Sequence, residues 1–425
     1  MIEQAPTAAE ALDHADPLAG LRARFRLPLA PDGSPAVYFC GNSLGPMPVA
    51  AEATVRGVLE QWSTLAVRGH HDGPAPWLSY HQQFAAPLAR LVGASPGEVV
   101  AMNTLTVNLH LMLASFFRPS AARHRLLIEQ SAFPSDRYAV VSQLALHGLN
   151  AADSLLEVGP RPGEAALRTE DLVAAIERAG PSLALVLLPG VQYLSGQRLE
   201  LKELARAARR AGARVGFDLA HAIGNVPLEL HDSDADFAVW CSYKYLCGGP
   251  GAVAGAFVHE RHARDATLPR LAGWWGHDAA TRFAMGPDFS AMTGAEGWQL
   301  SNPPILSLAP LAAALELFEA AGMARLRAKS LALTERLRLG LERRCAAALA
   351  VLTPADPEQH GAQLSVRIGG GAARGREVFG QLSAAGLIGD WREPDVVRLA
   401  PAPLYNTFAE VDRATDLVAA AVGAR

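Results

Sequence analysis

The stretch GFDLAHAIGNVPLELHDSDADFAVWCSYKYLCGGPG, from Gly216 to Gly251, decides how this chain is read. Val215 to Leu219 is short and apolar, lies between Gly212 and His221, and reads as a buried strand ending near the carboxylate of Asp218. Phe237 to Cys241 is a second such run, and it leads into Ser242, Tyr243 and Lys244 before the turn GGPG. Lysines are seldom buried unless paired or reactive, so packing explains a lysine here poorly. Singly, Lys244 reads as a surface lysine and Asp218 as a strand cap. Together, with His221 three residues after the aspartate, they point to catalysis. The chemistry that needs them is that of pyridoxal phosphate (PLP): a lysine to bind it as a Schiff base, a carboxylate to hold a proton on the pyridine nitrogen, and a histidine beside the ring.

Working outward, Val99 to Phe117 (VVAMNTLTVNLHLMLASFF) is a short strand, then Asn103, Thr104 and Thr106, then an apolar helix. Backbone N–H groups and hydroxyls at a helix start make an anion site, and a cofactor phosphate would belong there on Thr106 and the Leu105 amide. Plain capping by Thr104 or Thr106 accounts for the same residues. Arg125 to Glu129 reads as a strand leading to QSAFPSD, where Phe133 could stack on a flat ring and Ser135 and Asp136 could cap the next helix. Leu183 to Leu188 is a further strand, and a helix over Glu200 to Ala211 leads into the Asp218 strand. This alternation predicts a parallel sheet covered on both faces, with ligands at the carboxyl ends of its strands. Thr106, Phe133, Asp218 and Lys244 all fall at such ends.

Before these strands, residues 8 to 26 read as an arm of short helices of the sort that packs on a partner subunit. In VYFCGNSLGPMP (Val37 to Pro48), an apolar start runs into glycines and prolines that specify a tight turn. Asn42 and Ser43 within it could cap a helix or touch a ligand, and the residues leave both open. Ala50 to Leu65 is an amphipathic helix, followed by the loop RGHHDGPAPW. Its histidines lack a carboxylate at helical spacing, so no metal is expected, and His70 reads as bonded to its own loop or as facing a ligand.

Composition sets the frame. The chain has 425 residues, half of them hydrophobic and 19% charged, which predicts a large domain with a smaller companion. A formal net charge of -4 offers no bulk attraction to nucleic acid or to an anionic membrane. The four cysteines form no CxxC pair, the first residues lack the apolar run of a signal peptide, and no apolar stretch is long enough to span a membrane. A cytoplasmic enzyme is expected.

These residues carry a resemblance. GNSLGPMP (41 to 48), MNTLTVNLHL (102 to 111), AFPSD (132 to 136), LPGVQYLSGQ (188 to 197), FDLAHAIGNVPLELHD (217 to 232), DFAVWCSYKYLCGGPG (236 to 251), AGWWGH (272 to 277), GWQLSNPPI (297 to 305) and RLAPAPLYNTF (398 to 408) occur in one order. The chain resembles the kynureninases across nearly its whole length, departing at Cys40, where the family often has Asp, and at Cys247, where it often has Asn. The resemblance implies a fold-type I PLP enzyme of the aspartate-aminotransferase-like α/β class. It would have an N-terminal helical arm (1–35), a large parallel-sheet-rich domain (36–310), and a linking helix with a small C-terminal α+β domain (311–425). In the small domain, Gln363 to Ile368 alternates like a strand, Arg374 to Ala385 reads as a helix and Asp395 to Leu399 as a second strand.

The resemblance also implies site roles. Leu105 and Thr106 bind the phosphate together with Tyr243, and the segment Phe133, Pro134, Ser135, Asp136 contacts the cofactor, with Phe133 over the ring. Asp218 takes the pyridine nitrogen, His221 lies beside it, and Lys244 is the covalent anchor and the base that moves the α-proton, with Tyr243 a candidate proton carrier. Trp274 and Asn302 enter from the second chain of a homodimer, and Arg398 clamps the substrate α-carboxylate. His70, Ser301 and Asn302 lie at the aromatic end of the substrate, in a loop and turn resembling members that act on 3-hydroxykynurenine. The reaction implied is hydrolysis of kynurenine or 3-hydroxykynurenine to alanine and an anthranilate, within tryptophan degradation and NAD biosynthesis. The rival readings are a cysteine desulfurase or an aminotransferase, which would keep Lys244 and Asp218; a desulfurase would also need a mobile nucleophilic cysteine, and Cys345 sits in an apolar helical context. A PLP-binding regulator would need a basic DNA-binding segment, and a nicotinamide enzyme a GxGxxG turn between strand and helix.

Overall fold

The computed structural model describes residues 7–423. Seven strands build the main sheet: β1 (Val99–Ala101), β2 (Arg125–Glu129), β3 (Leu155–Val158), β4 (Leu183–Pro189), β5 (Arg214–Asp218), β6 (Phe237–Trp240) and β7 (Gly255–Val258). They lie in the order β1-β7-β6-β5-β4-β2-β3. Every neighbouring pair is parallel except the two made by β7. Successive side chains enter different cores: Leu127, Val186, Val215 and Phe217 pack on one face, and Leu126, Ile128, Leu185 and Leu187 on the other. Burial on both faces is why these strands read as unbroken apolar runs, each such side chain contributing roughly 1.5–3 kcal/mol. Helices Leu105–Phe116, Pro134–Leu146, Thr169–Ala179 and Leu201–Arg210 make the connections. Observed and expected ends differ by about one residue, the ordinary slack of a fraying element.

A second, antiparallel sheet holds β8 (Leu349–Val351), β9 (Leu364–Ile368), β10 (Asp390–Arg392) and β11 (Val396–Leu399) in the order β8-β9-β11-β10. Strand β9 does not alternate as its sequence suggests. Of its residues only Arg367 is exposed, because β9 is central in its sheet and the hydroxyl of Ser365 bonds back to Leu194 of the large layer. Helices Gly371–Ala384 and Phe408–Val422 cover this layer, and Ile305–Ala321 and Met323–Cys345, broken at Gly322, join it to the large one. Among the described residues no single helix is long and apolar enough to cross a membrane.

Both ends of the chain build the second core, where Ala9, Val37 and Phe39 pack with Leu333, Leu364 and Val411. Residues 1–6 of the expected arm lie outside the described residues. The rest forms the helix Ala8–Ala15, a turn over Ala19–Arg24 and a short strand, Phe25–Arg26, paired with Met47–Pro48. Asp13 anchors that helix by accepting from the N–H groups of Phe408 and Ala409 at the start of another, and Asp16 pairs with buried Lys329 at 2.7 Å.

The GNSLG segment runs from this second layer to the large one. Cys40 bridges Ala400, and Gly45 N–H donates to the Tyr243 carbonyl at 2.8 Å. Neither Gly41 nor Gly45 has a positive φ. Both are glycine because of close approach: a Cβ at Gly45 would collide with the Lys244 carbonyl, and one at Gly41 with the Tyr405 hydroxyl. Asn42 caps no helix. Its amide is buried and donates to Gln363 Oε1 at 2.9 Å.

Candidate active site

The carboxyl ends of β2, β4, β5 and β6 and the start of the helix after β1 enclose a cleft of about 520 Å³. Leu105, Thr106, Phe133, Ser135, Asp136, Asp218, His221, Tyr243 and Lys244 line it, joined by Glu129, Pro189, Val191, Tyr193 and Ala220. The sheet brings these segments together because parallel strands deliver all their carboxyl ends to one edge.

Two helices begin at the cleft. Leu105–Phe116 and Pro134–Leu146 present unsatisfied N–H groups there, and the Thr106 and Ser135 hydroxyls, each in a first turn, bond to one another at 2.8 Å. Thr104, at the first helix start, makes no side-chain cap, and nor does Phe133 at the second. The capping role expected of Ser135 and Asp136 is therefore corrected. Pro134 takes the first helical position, where its missing N–H is no loss, and Asp136 turns from the helix start into the cleft.

Three carboxyls crowd the other side. Asp218 accepts the Ala220 N–H at 2.6 Å, and Asp136 lines the same space close enough to act on it. Burial pushes both upward, and the neighbouring acid adds to the shift at Asp136, so that ionising both carboxyls at once is disfavoured. Glu129 is buried as well and is pushed up to about 8, by burial first and the Asp218 charge second. Among the described residues Lys244 is the one lysine or arginine lining this space.

Lys244 Nζ lies 2.8 Å from His221 Nε2 and 5.7 Å from the centroid of the Phe133 ring. Burial, with the charge of Lys244, pushes the His221 pKa well down, so the imidazole is neutral, and its Nδ1 is buried without a partner. Phe133 and Tyr193 meet edge to face, centroids 5.3 Å apart, and Phe133 stays 40% exposed. Tyr243 is raised, chiefly by burial, and keeps its phenolic proton.

Other expected residues lie elsewhere in this chain. Arg398 is fully buried behind the cleft wall, donating to the Tyr193 carbonyl at 2.7 Å and paired with Asp390, while its Nε has no partner. Trp274 bonds the Arg282 carbonyl at 3.1 Å, and Ser301 and Asn302 are exposed. His70 packs edge to face with Trp77 at 5.3 Å and is not among the residues lining the cleft. Trp77 in turn borders an open apolar groove of about 710 Å³ with Val58, Trp62, Pro304, Ile305, Leu306 and Ser307.

Sequence reasoning missed Glu129 and Tyr193. Glu129 carried a usable signal, since a carboxylate closing the apolar run RLLIE is what singled out Asp218. Tyr193 follows β4 within a loop and carried none.

The cleft fits PLP. Two helix starts with paired hydroxyls suit a phosphate, and the buried carboxyls of Asp136 and Asp218 suit a pyridine nitrogen. A lysine amine suits an aldehyde, and the buried, unpartnered Asp136 Oδ1 and His221 Nδ1 leave bonding capacity for a guest.

Comparison with known proteins agrees. Residues 326–418 match the family model of the kynureninase C-terminal domain. A kynureninase of Stenotrophomonas maltophilia is 57% identical over 98% of this chain and 98% of its own length, and one of Xanthomonas euvesicatoria is 59% identical over 95% of each. Among solved structures, a mutant of C-DES with glycine covalently linked to its PLP cofactor has a TM-score of 0.76 at 18% identity, covering 94% of this chain and 98% of that one. The cysteine desulfurase CsdA of Escherichia coli also reaches 0.76, at 17% identity, over 96% and 98%. At that identity the likeness is one of fold, that of the fold-type I PLP enzymes.

Proposed function

The chain belongs to the kynureninase family, and from that premise we infer that it is a PLP-dependent hydrolase acting at the cleft around Lys244. It cleaves the Cβ–Cγ bond of kynurenine, releasing alanine and an anthranilate. One observation carries the placing of the site: a lysine amine, two neighbouring buried carboxyls and two helix starts open onto the same space.

The cofactor supplies the sink for the electron pair left when that bond breaks. Lys244 would anchor it covalently and would serve as the base for the α-proton. Neutral His221 keeps the lysine aimed through their 2.8 Å bond. Asp218 would hold a proton on the ring nitrogen, Thr106, Ser135 and the Leu105 amide would hold the phosphate, and Phe133 would lie against the ring. Tyr243, protonated at neutral pH, is a donor for the γ-carbonyl oxygen or the leaving carbon. Arg398 takes the substrate α-carboxylate, exchanging part of its pairing with Asp390.

We assign Trp274, His70, Ser301 and Asn302 to a site shared by two copies of the chain. The apolar groove beside Trp77 supports this. It lies between the His70 loop and the turn after Asn302, and it exposes Trp62 and Leu306. A partner covering it would carry those residues toward a second cleft, and Trp62→Glu should then yield monomers in sedimentation. A cytoplasmic location is our reading of four cysteines that are all free.

The test is direct. Purified protein should absorb visible light, release anthranilate from kynurenine, and be labelled at Lys244 alone after borohydride reduction. Label on another lysine would remove the assignment.

A further inference from the structure

Glu129 has no role in the chemistry above, yet it is only 4% exposed and lines the cleft. It ends β2, beside β4, and shares the cleft lining with Asp136 and Asp218. The groups that face it come from every element around the cleft. Asp136 comes from the helix after β2, Tyr193 from the loop after β4, Asp218 and His221 from the end of β5, and Tyr243 and Lys244 from the segment after β6. That set holds two further acids, a neutral imidazole, two phenols and one amine. Were all three acids ionised, the cleft would carry excess negative charge in a desolvated space.

We propose that Glu129 is a positioning residue that holds a proton beside the Asp136–Asp218 pair, so that the cleft shows one carboxylate charge to the ring nitrogen and admits an anionic cofactor. This rests on the reading that the cleft binds PLP. The phosphate makes the incoming cofactor an anion, so each extra carboxylate charge opposes its entry, while the ring nitrogen needs only one. Burial supports the assignment by favouring the neutral acid, and Glu129 is raised to about 8. Its proton is then present at neutral pH and lost on the alkaline side.

The experiment measures PLP affinity of the apoprotein from pH 6.5 to about 9, by absorbance, in wild type and Glu129→Gln. Glutamine mimics the protonated acid and cannot ionise. At pH 7 the two should agree within about threefold, and by pH 9 the wild type should bind about tenfold more weakly than the variant. Parallel pH profiles overturn the proposal. If the variant fails to fold, infrared difference spectra of wild-type apoprotein carrying isotope-labelled glutamate decide: a label-shifted protonated-carboxyl band that persists at pH 7 and disappears near pH 8 supports it, and no such band overturns it. Failure of wild type to bind PLP at any pH would instead overturn the reading of the cleft.

Discussion

Two buried aspartates sit at opposite edges of the same sheet, and their surroundings treat them in opposite ways. Asp218 closes β5 at the cleft; Asp236 precedes β6 at the far edge. Burial raises the pKa of Asp236, but His262 at 2.8 Å, Arg261 at 2.9 Å and the Val215 N–H at 2.8 Å more than reverse this, and Arg214 adds a bond at 3.1 Å. It ends well below the ordinary carboxylate range. Asp218 is raised by burial, and the Ala220 N–H, Asp136 and Lys244 reverse only part of the shift. The far-edge acid is completed by its own chain, so it holds the fold. The cleft acid is left incomplete, the arrangement expected where a cationic group from outside is to be received.

The strongest way to break this contrast is at the cleft amine. Lys244→Ala should lose at least about a thousandfold in turnover while the urea midpoint of the apoprotein is unchanged, because the anchor and the base are one group. A variant with wild-type turnover would end the contrast at once. At the far edge the effects should be exchanged. Asp236→Ala leaves Arg261 and His262 without their buried partner and should cost about 3 kcal/mol or more of stability, with kcat per folded molecule unchanged. Denaturation identical to wild type would show that Asp236 is not the tie the contrast makes it.

Asp218→Asn comes next: turnover should fall about a hundredfold, with PLP still bound and stability equal or higher, because a neutral amide needs no buried charge and cannot hold the ring proton. Wild-type rates would mean that another group holds the nitrogen. A smaller effect is in pH. Glu129 binds its proton more tightly folded than unfolded, so the apoprotein should lose stability as pH rises from about 4.5 toward 8. Asp236 has the opposite sign: its contribution is complete above the ordinary aspartate range and is lost as pH falls below it. Urea midpoints of wild type and Glu129→Gln across this range would sharpen the comparison, the variant showing the flatter alkaline limb. The smallest effect lies outside both clusters. His70→Phe with Asn302→Thr should shift the ratio of kcat/KM for 3-hydroxykynurenine over kynurenine by about tenfold against the hydroxylated substrate.

Much of this site was legible in the sequence because parallel strands are local apolar runs whose carboxyl ends share an edge. Asp218, Lys244, Thr106 and Phe133 could be placed there from run ends alone, and the cleft brings them together. Asp136 was misread as a cap because an aspartate at a helix start looks the same whether its carboxylate turns to the backbone or to a neighbour. The glycines of GNSLG were read as turn residues because close approach to Lys244 and Tyr405, some 200 and 360 residues away, leaves no local mark. Arg398 could be named, but not its pairing with Asp390 or its place behind the Tyr193 carbonyl.

The sequence by itself determined the fold class and the strand ends and put Lys244 and Asp218 forward as the candidate anchor and its partner acid, since each depends on residues within one segment. Only the tertiary structure decided which carboxyls keep their protons. Protonation depends on desolvation and on the summed charge of side chains from separate strand ends, and neither exists until those ends are packed together.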